Sequence, residues 1–265
     1  MSPMLTIAIR AARAAGDFLT RSARRLGDIK VETKGPNDYV SAVDREAEAR
    51  IVRTLLDAYP HHAVLAEEGG RTGSGDHVWI VDPLDGTTNY LHGFPVYCVS
   101  IGLRVRGRLE LAVVYDPERD ELFTAERGRG AQLNQQRIRV SSRDRLNGAL
   151  LGTGFPFRQS AYLDAYLDSF RKLFAETAGV RRAGSAALDL AYVACGRLDG
   201  FWEMGLKPWD IAAGLLLVRE AGGIVTDFSG GESSLETGHV IAGAPRVHTA
   251  MLRSVGPVLR NAVER

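Results

Sequence analysis

The chain has 265 residues, 45% of them apolar and 25% charged, with a formal net charge of +1. That length suits one large domain or two small ones, and the apolar content excludes a disordered chain. The near-neutral balance excludes strong bulk attraction to nucleic acid or to an anionic membrane.

Cys98 and Cys195 are the only cysteines, both in apolar surroundings. They supply neither a disulfide framework nor a thiolate zinc site. Arginines interrupt the N-terminal apolar stretch, which argues against a signal peptide, and no apolar run is long enough to span a bilayer. These features predict a cytoplasmic protein with no membrane contact.

In chain order, residues 3–25 have helical spacing, with Leu5, Ile7, Ala8, Ala11, Ala15, Phe18 and Leu19 on a broad apolar stripe. Lys34 to Asp38 is a loop by its turn residues. Ser41 and Asp44 match a capping box, and Ala47, Ile51, Leu55 and Leu56 continue a helix behind them. Short strands are expected at 63–66, 78–82, 96–105, 109–115 and 121–125, with Gly107 and Asp116-Pro117 turning between them. From about 148 the pattern alternates: strand 149–152, helix 161–177, helix 185–194, strand 200–204, helix 209–221, strand 240–243 and a last helix from about 246. Early antiparallel strands followed by βα alternation predict two fused subdomains, 1–147 with α+β character and 148–265 with α/β character.

Three separated acidic places stand out. An apolar strand ends in Asp82-Pro83-Leu84-Asp85-Gly86-Thr87-Thr88-Asn89. Pro83 interrupts regular strand pairing where the carboxylates begin. Two aspartates three apart can hold neighbouring cations for a displacement at phosphorus; alone, the pair would more simply start a turn. Gly86 and Thr87 suit an anion at a helix start, and the Thr87 hydroxyl could hold a water or act as an N-cap. Glu67 follows a buried-looking strand and precedes two glycines, as a metal ligand or as an exposed loop acid. Asp210 and Asp44 each sit where a capping residue is common, and either could instead serve the site. Lys34 and Asp38 read alone as a solvated loop. Glu203 could accept hydrogen bonds from substrate hydroxyls or be a salt-bridged strand-end acid. The histidines lack metal-ligand spacing, and neither a G-x-S-x-G elbow nor a P-loop is present.

At these residues the chain resembles the inositol monophosphatase family. The motifs that carry the resemblance are Trp79 to Asn89 with Glu67 upstream, and Trp209 to Gly214 closing at Glu220-Ala221-Gly222-Gly223. Asn37 to Val40, Gly152 to Phe157 and Arg181 to Tyr192 are similar to the family's bacterial extragenic-suppressor subgroup. The resemblance implies a layered α-β-α-β-α sandwich within the α/β class, usually a homodimer. It implies lithium-sensitive hydrolysis of a phosphomonoester, first of all myo-inositol 1-phosphate, with two or three magnesium ions (Mg2+) per site.

Carried over by position, Glu67, Asp82, Asp85 and Asp210 become metal ligands, with the Leu84 carbonyl beside them. Thr87 and Asp44 position and activate water. Gly86 and Thr87 hold the phosphate through backbone donors. Glu203, Ala186 and Asp210 line the inositol pocket, and Lys34 lies near the catalytic loop. Related folds act on fructose 1,6-bisphosphate, 3′-phosphoadenosine 5′-phosphate or histidinol phosphate. The subgroup also implies a second role, in transcription antitermination complexes with Nus factors and RNA polymerase, for which exposed arginines including Arg181 and Arg182 could serve as contacts.

Overall fold

Ser2 starts the first helix by accepting a hydrogen bond from the Leu5 N–H at 3.3 Å, with Pro3 just inside it, where the missing N–H costs nothing. The structure, a computed structural model, describes residues 1–24, 31–35, 38–157 and 159–263, with the backbone alone for 31–35 and 38–41. That first helix is α1 (Pro3–Ala23). It is followed by a hairpin of β1 (Val31–Gly35) and β2 (Asp38–Ser41), then by α2 (Ala42–Ala58). The turn residues Lys34 to Asp38 therefore end and start two antiparallel strands rather than a plain loop; Pro36 and Asn37 lie outside the described residues.

Next come β3 (Ala63–Ala66), β4 (Gly70–Thr72), β5 (His77–Asp85), the short α3 (Thr87–Leu91), β6 (Cys98–Val105), β7 (Arg108–Asp116), β8 (Glu121–Glu126), β9 (Gly130–Leu133) and β10 (Gln136–Ile138). They build one sheet in the order β10-β9-β8-β7-β6-β5-β3-β4, antiparallel throughout except for the β3/β5 pair. The remainder is β11 (Leu150–Thr153), α4 (Leu163–Glu176), β12 (Gly179–Arg181), α5 (Ala186–Ala194), β13 (Gly200–Glu203), α6 (Pro208–Glu220), β14 (Ile224–Thr226), α7 (Ser234–Thr237), β15 (Val240–Gly243) and α8 (Pro245–Val263).

The second sheet runs β12-β11-β13-β15-β14. β11 is parallel to β12 and β13, but β15 is antiparallel to both neighbours. The crossover through α6 leaves β14 parallel to β13 one position away, and β15 returns to fill the gap. The βα alternation therefore yields a mixed sheet instead of a parallel one.

Period-two strands separate the layers. On β5, Trp79 and Val81 face α1 and α2, whereas Val78 and Ile80 face α5 and α6. On β13, Phe201 faces α5 and α6, whereas Trp202 faces α4 and α8. A helix trapped between two sheets must be apolar all round. In α6, Ile211, Ala212, Ala213, Leu215, Leu216, Leu217 and Val218 are all buried. Gly102 lets it approach closely, since a Cβ there would stand 3.0 Å from the Ala212 methyl. The result is the layered α-β-α-β-α sandwich, with one apolar cluster shared by both sheets. Among the described residues no helix is long and apolar enough to cross a membrane.

Candidate active site

β5 pairs with β6 as far as Asp82 opposite Ser100, loses register over Pro83 and Leu84, and pairs again at Asp85 opposite Cys98. The irregularity turns the backbone where Pro83 has no N–H to donate. Asp82 is 1% exposed, and its Oδ1 accepts from the Leu84 N–H at 2.9 Å. Burial pushes the Asp82 carboxyl well up from its ordinary value, and the negative charges of Glu67, Asp85 and Asp210 push it further. Acids from three distant segments therefore share one neighbourhood.

Each acid is held by different local structure. The Glu67 N–H donates to the Val81 carbonyl at 3.2 Å, extending the parallel pairing of β3 and β5 by one bond. The turn after it is fixed by Glu48 of α2, whose carboxylate accepts from Glu68 N–H at 2.8 Å and Gly69 N–H at 2.7 Å. A Cβ on Gly69 would lie 2.8 Å from Glu48 Oε1, so a larger residue there would displace the Glu48 carboxylate from these two N–H groups. Asp85 Oδ2 accepts from the Ser185 hydroxyl and the Ala187 N–H, both at 2.7 Å, at the start of α5. Asp210 Oδ2 accepts from the Lys207 N–H at 2.7 Å. Its helix-start role and its proximity to Asp82 thus coexist.

Gly86 caps α3 at φ 101°, and a Cβ there would meet the Val96 carbonyl at 2.8 Å. Thr87 is consequently the first helical residue and not the cap. Its Oγ1 lies 3.0 Å from Asp44 Oδ1 and 3.1 Å from the Leu84 carbonyl. Asp44, in the first turn of α2, is 1% exposed. The Ser41 side chain lies outside the described residues, so the capping box with Asp44 does too.

A cavity of about 350 Å³ joins these groups. Glu67, Asp82, Leu84, Asp85, Gly86, Thr87, Ala186, Glu203 and Asp210 all line it, and Asp44 stands behind Thr87. The Lys34 and Asp38 side chains lie outside the described residues. At the other end Glu203 packs against Gly154, where a Cβ would fall 2.1 Å from Glu203 Oε1. Burial raises the Glu203 carboxyl well above its ordinary range; Asp189, Asp210 and Asp85 add to this and the Arg182 guanidinium opposes it. Among the described residues Glu203 forms no ion pair, which sets aside the salt-bridged reading. Arg182 lies over the rings of Phe155 and Phe157, 5.3 and 4.9 Å from their centroids, at the cavity lining. It is exposed like Arg181, but it belongs to this cavity as well as to the surface.

Sequence reasoning gave no role to Glu48, Ser185 or Asp189. The one available signal was an acid inside the otherwise apolar helix Ala186 to Ala194. All the candidate ligands carry oxygen, which suits a hard divalent cation, and their mutual repulsion is what such a cation relieves. Among the described residues no three acidic, histidine or cysteine side chains are already grouped as ligands of one ion.

The model of the inositol monophosphatase family matches residues 1–258. A Nus factor SuhB of Pseudomonas aeruginosa is 56% identical over 100% of both chains. The crystal structure of extragenic suppressor protein suhB from Bartonella henselae superposes with a TM-score of 0.94 at 46% identity, covering 96% of this chain and 98% of that one. An inositol monophosphatase from Anabaena superposes with a TM-score of 0.84 at 41% identity, covering 94% of each.

Proposed function

The chain belongs to the inositol monophosphatase family, and from that premise we propose that it is a magnesium-dependent phosphomonoesterase. Its substrate is a polyol phosphate, with myo-inositol 1-phosphate first among the candidates, and its products are the free polyol and phosphate. The observation that carries this reading is the convergence of Glu67, Asp85 and Asp210 on buried Asp82. Those four carboxylates and the Leu84 carbonyl would hold roughly two or three divalent ions. Bound there, the ions supply charge neutralisation for the ester and an acidified water.

The chain's own groups do the rest. Thr87 orients the attacking water, and Asp44, within 3.0 Å of the Thr87 hydroxyl, accepts a proton from that pair. Gly86 and Thr87 offer backbone N–H groups to the phosphate. Glu203 and Ala186 flank the alcohol portion, and Asp210 stands between the two ends of the cavity. Lithium inhibition and a homodimer accompany the reading, as does the division into subdomains at residue 147. Phosphate release from a panel of phosphomonoesters, with and without magnesium and lithium, tests it. Folded protein that releases no phosphate and takes up no magnesium in calorimetry, even beside a phosphorylated ligand, refutes it.

The 56% identity to a protein named Nus factor SuhB supports a second role. We propose that this chain also joins cytoplasmic transcription antitermination complexes, touching Nus factors and RNA polymerase. A pull-down with Asp85→Asn protein separates the roles. Retained partners mean that binding is independent of the phosphatase site; partners absent from wild-type protein remove the second reading.

A further inference from the structure

We propose that Asp189 is a specificity residue that hydrogen-bonds a hydroxyl of the substrate's alcohol portion at the Glu203 end of the cavity. The inference rests on the phosphatase reading and deepens it. Asp189 is 2% exposed in the middle of α5, among residues that are otherwise apolar. It lines the cavity, yet its Oδ1 is buried and has no hydrogen-bond partner among the described residues. Buried carboxyl groups are normally satisfied within the chain, because desolvation without a partner is costly. Oδ1 itself has almost no exposed surface, so it is the side chain as a whole that meets the cavity, and a carboxyl placed there without its full set of partners is explained when a ligand hydroxyl completes the set.

The surroundings say what that partner is. Asp189 and Glu203 line the same cavity, and the charge of Asp189 adds to the burial that raises the Glu203 carboxyl, while the single cation among the described lining residues, Arg182, opposes both shifts only in part. That pairing disfavours a second phosphate or carboxylate on the substrate here and favours hydroxyl groups. The Asp189 carboxyl packs beside Gly152 of β11, where a Cβ would stand 3.4 Å from its carboxyl carbon, an ordinary contact. Ser185, one helical turn earlier, holds Asp85 at 2.7 Å. The first turns of α5 thus connect the ester end of the cavity to the alcohol end, which fixes the distance between the reacting phosphate and the hydroxyl that Asp189 would read.

A purely structural acid and a specificity residue respond differently to replacement. Asp189→Asn and Asp189→Leu are expected to leave Tm unchanged or raise it, because an unpaired buried carboxyl destabilises the fold. Calorimetric magnesium affinity should be unaltered. With myo-inositol 1-phosphate, kcat/KM should fall about tenfold to a hundredfold. With ethyl phosphate, which has no further hydroxyl to offer, it should change less than about twofold. A deoxy-inositol phosphate lacking the recognised hydroxyl should lose a similar factor on wild-type protein and nothing further on the variants.

Equal losses on both esters, a lowered Tm, or no loss at all would each overturn the assignment. If wild-type protein hydrolyses none of the esters, the phosphatase reading fails by itself. Calorimetric binding of myo-inositol 1-phosphate to wild-type and variant proteins, which needs no turnover, still decides the role of Asp189: equal affinity or no binding rejects it, and weaker binding by the variants supports it.

Discussion

The two ends of the cavity use the same side-chain chemistry in opposite ways. At the β5 end, acids are pinned by the protein: Asp82 by the Leu84 N–H, Asp85 by Ser185 and the Ala187 N–H, Asp210 by the Lys207 N–H. At the β13 end, Asp189 presents an oxygen with no such donor. Fixed carboxylates suit a compact, highly charged partner whose geometry must be held through the reaction. An unpaired one suits a neutral group that completes its hydrogen bonding only on arrival. Both ends concentrate negative charge in buried space, and both raise the pKa of the acids concerned.

The harshest way to break this contrast is at Asp85. Asp85→Asn keeps the shape and an acceptor for Ser185 but removes a charge from the proposed ligand set. Phosphate release should fall by about a hundredfold or more, with an unchanged circular dichroism spectrum. Normal turnover by a folded Asp85→Asn protein would remove Asp85 from the site. A smaller effect is expected one bond further out. Ser185→Ala deletes a hydroxyl donor at 2.7 Å, and supporting groups of this kind typically tune metal affinity by about ten- to a hundredfold. Ser185→Thr retains the hydroxyl and should bind magnesium nearly as wild type. Because Ser185 also caps α5 by accepting from the Leu188 N–H, Ser185→Asp supplies a control. It keeps a capping acceptor, so an intact helix in Ser185→Asp beside a frayed one in Ser185→Ala isolates the capping role, while Ser185→Thr against Ser185→Ala isolates the donor.

Legibility in the sequence follows periodicity and length. The alternation along β5 and the stripe along α1 each repeat often enough to fix a face, and the layered sandwich follows from them and the family resemblance. β4, β9, β10, β12 and β14 went unseen because, at three or four residues, they also lack the continuous apolar run that marked the equally short β3 and β15. Glu67, Asp82, Asp85 and Asp210 were legible because they close motifs at strand or helix ends. Glu48 and Ser185 were not, because they act through hydrogen bonds to residues 20 and 100 positions away, which no local pattern records. Asp189 was present within a family-like string, but only burial shows that its oxygen lacks a partner.

The smallest expected effect also separates the two ends most cleanly, through pH. Burial raises the folded-state pKa of Asp82, Asp189 and Glu203, each above its ordinary value of 3.8 or 4.5. A raised carboxyl binds its proton more tightly in the folded protein than in the unfolded chain. Its stabilising contribution is complete below the unfolded pKa and is lost as pH rises through the folded one. In divalent-free buffer, Tm should therefore decline as pH rises. His248 acts in the opposite sense: burial lowers its pKa to about 4, so its contribution is present above its ordinary 6.5 and lost as pH falls. Scanning upward from about pH 6.5 keeps His248 neutral in the folded protein. Magnesium at a hundred times its Kd should add about 2.7 kcal/mol to the folded state, a rise of several degrees. It should flatten the Asp82 share most and the rest less, because the charge of Asp85 also adds to the raised values of Asp189 and Glu203. Asp116, Cys98 and Cys195 are raised as well, so the share that belongs to Asp189 is read as the difference between wild-type and Asp189→Asn protein, which should persist with magnesium present. A slope that magnesium abolishes entirely would mean that the two ends titrate as one cluster, and the distinction between pinned and unpaired acids would then lose its energetic basis.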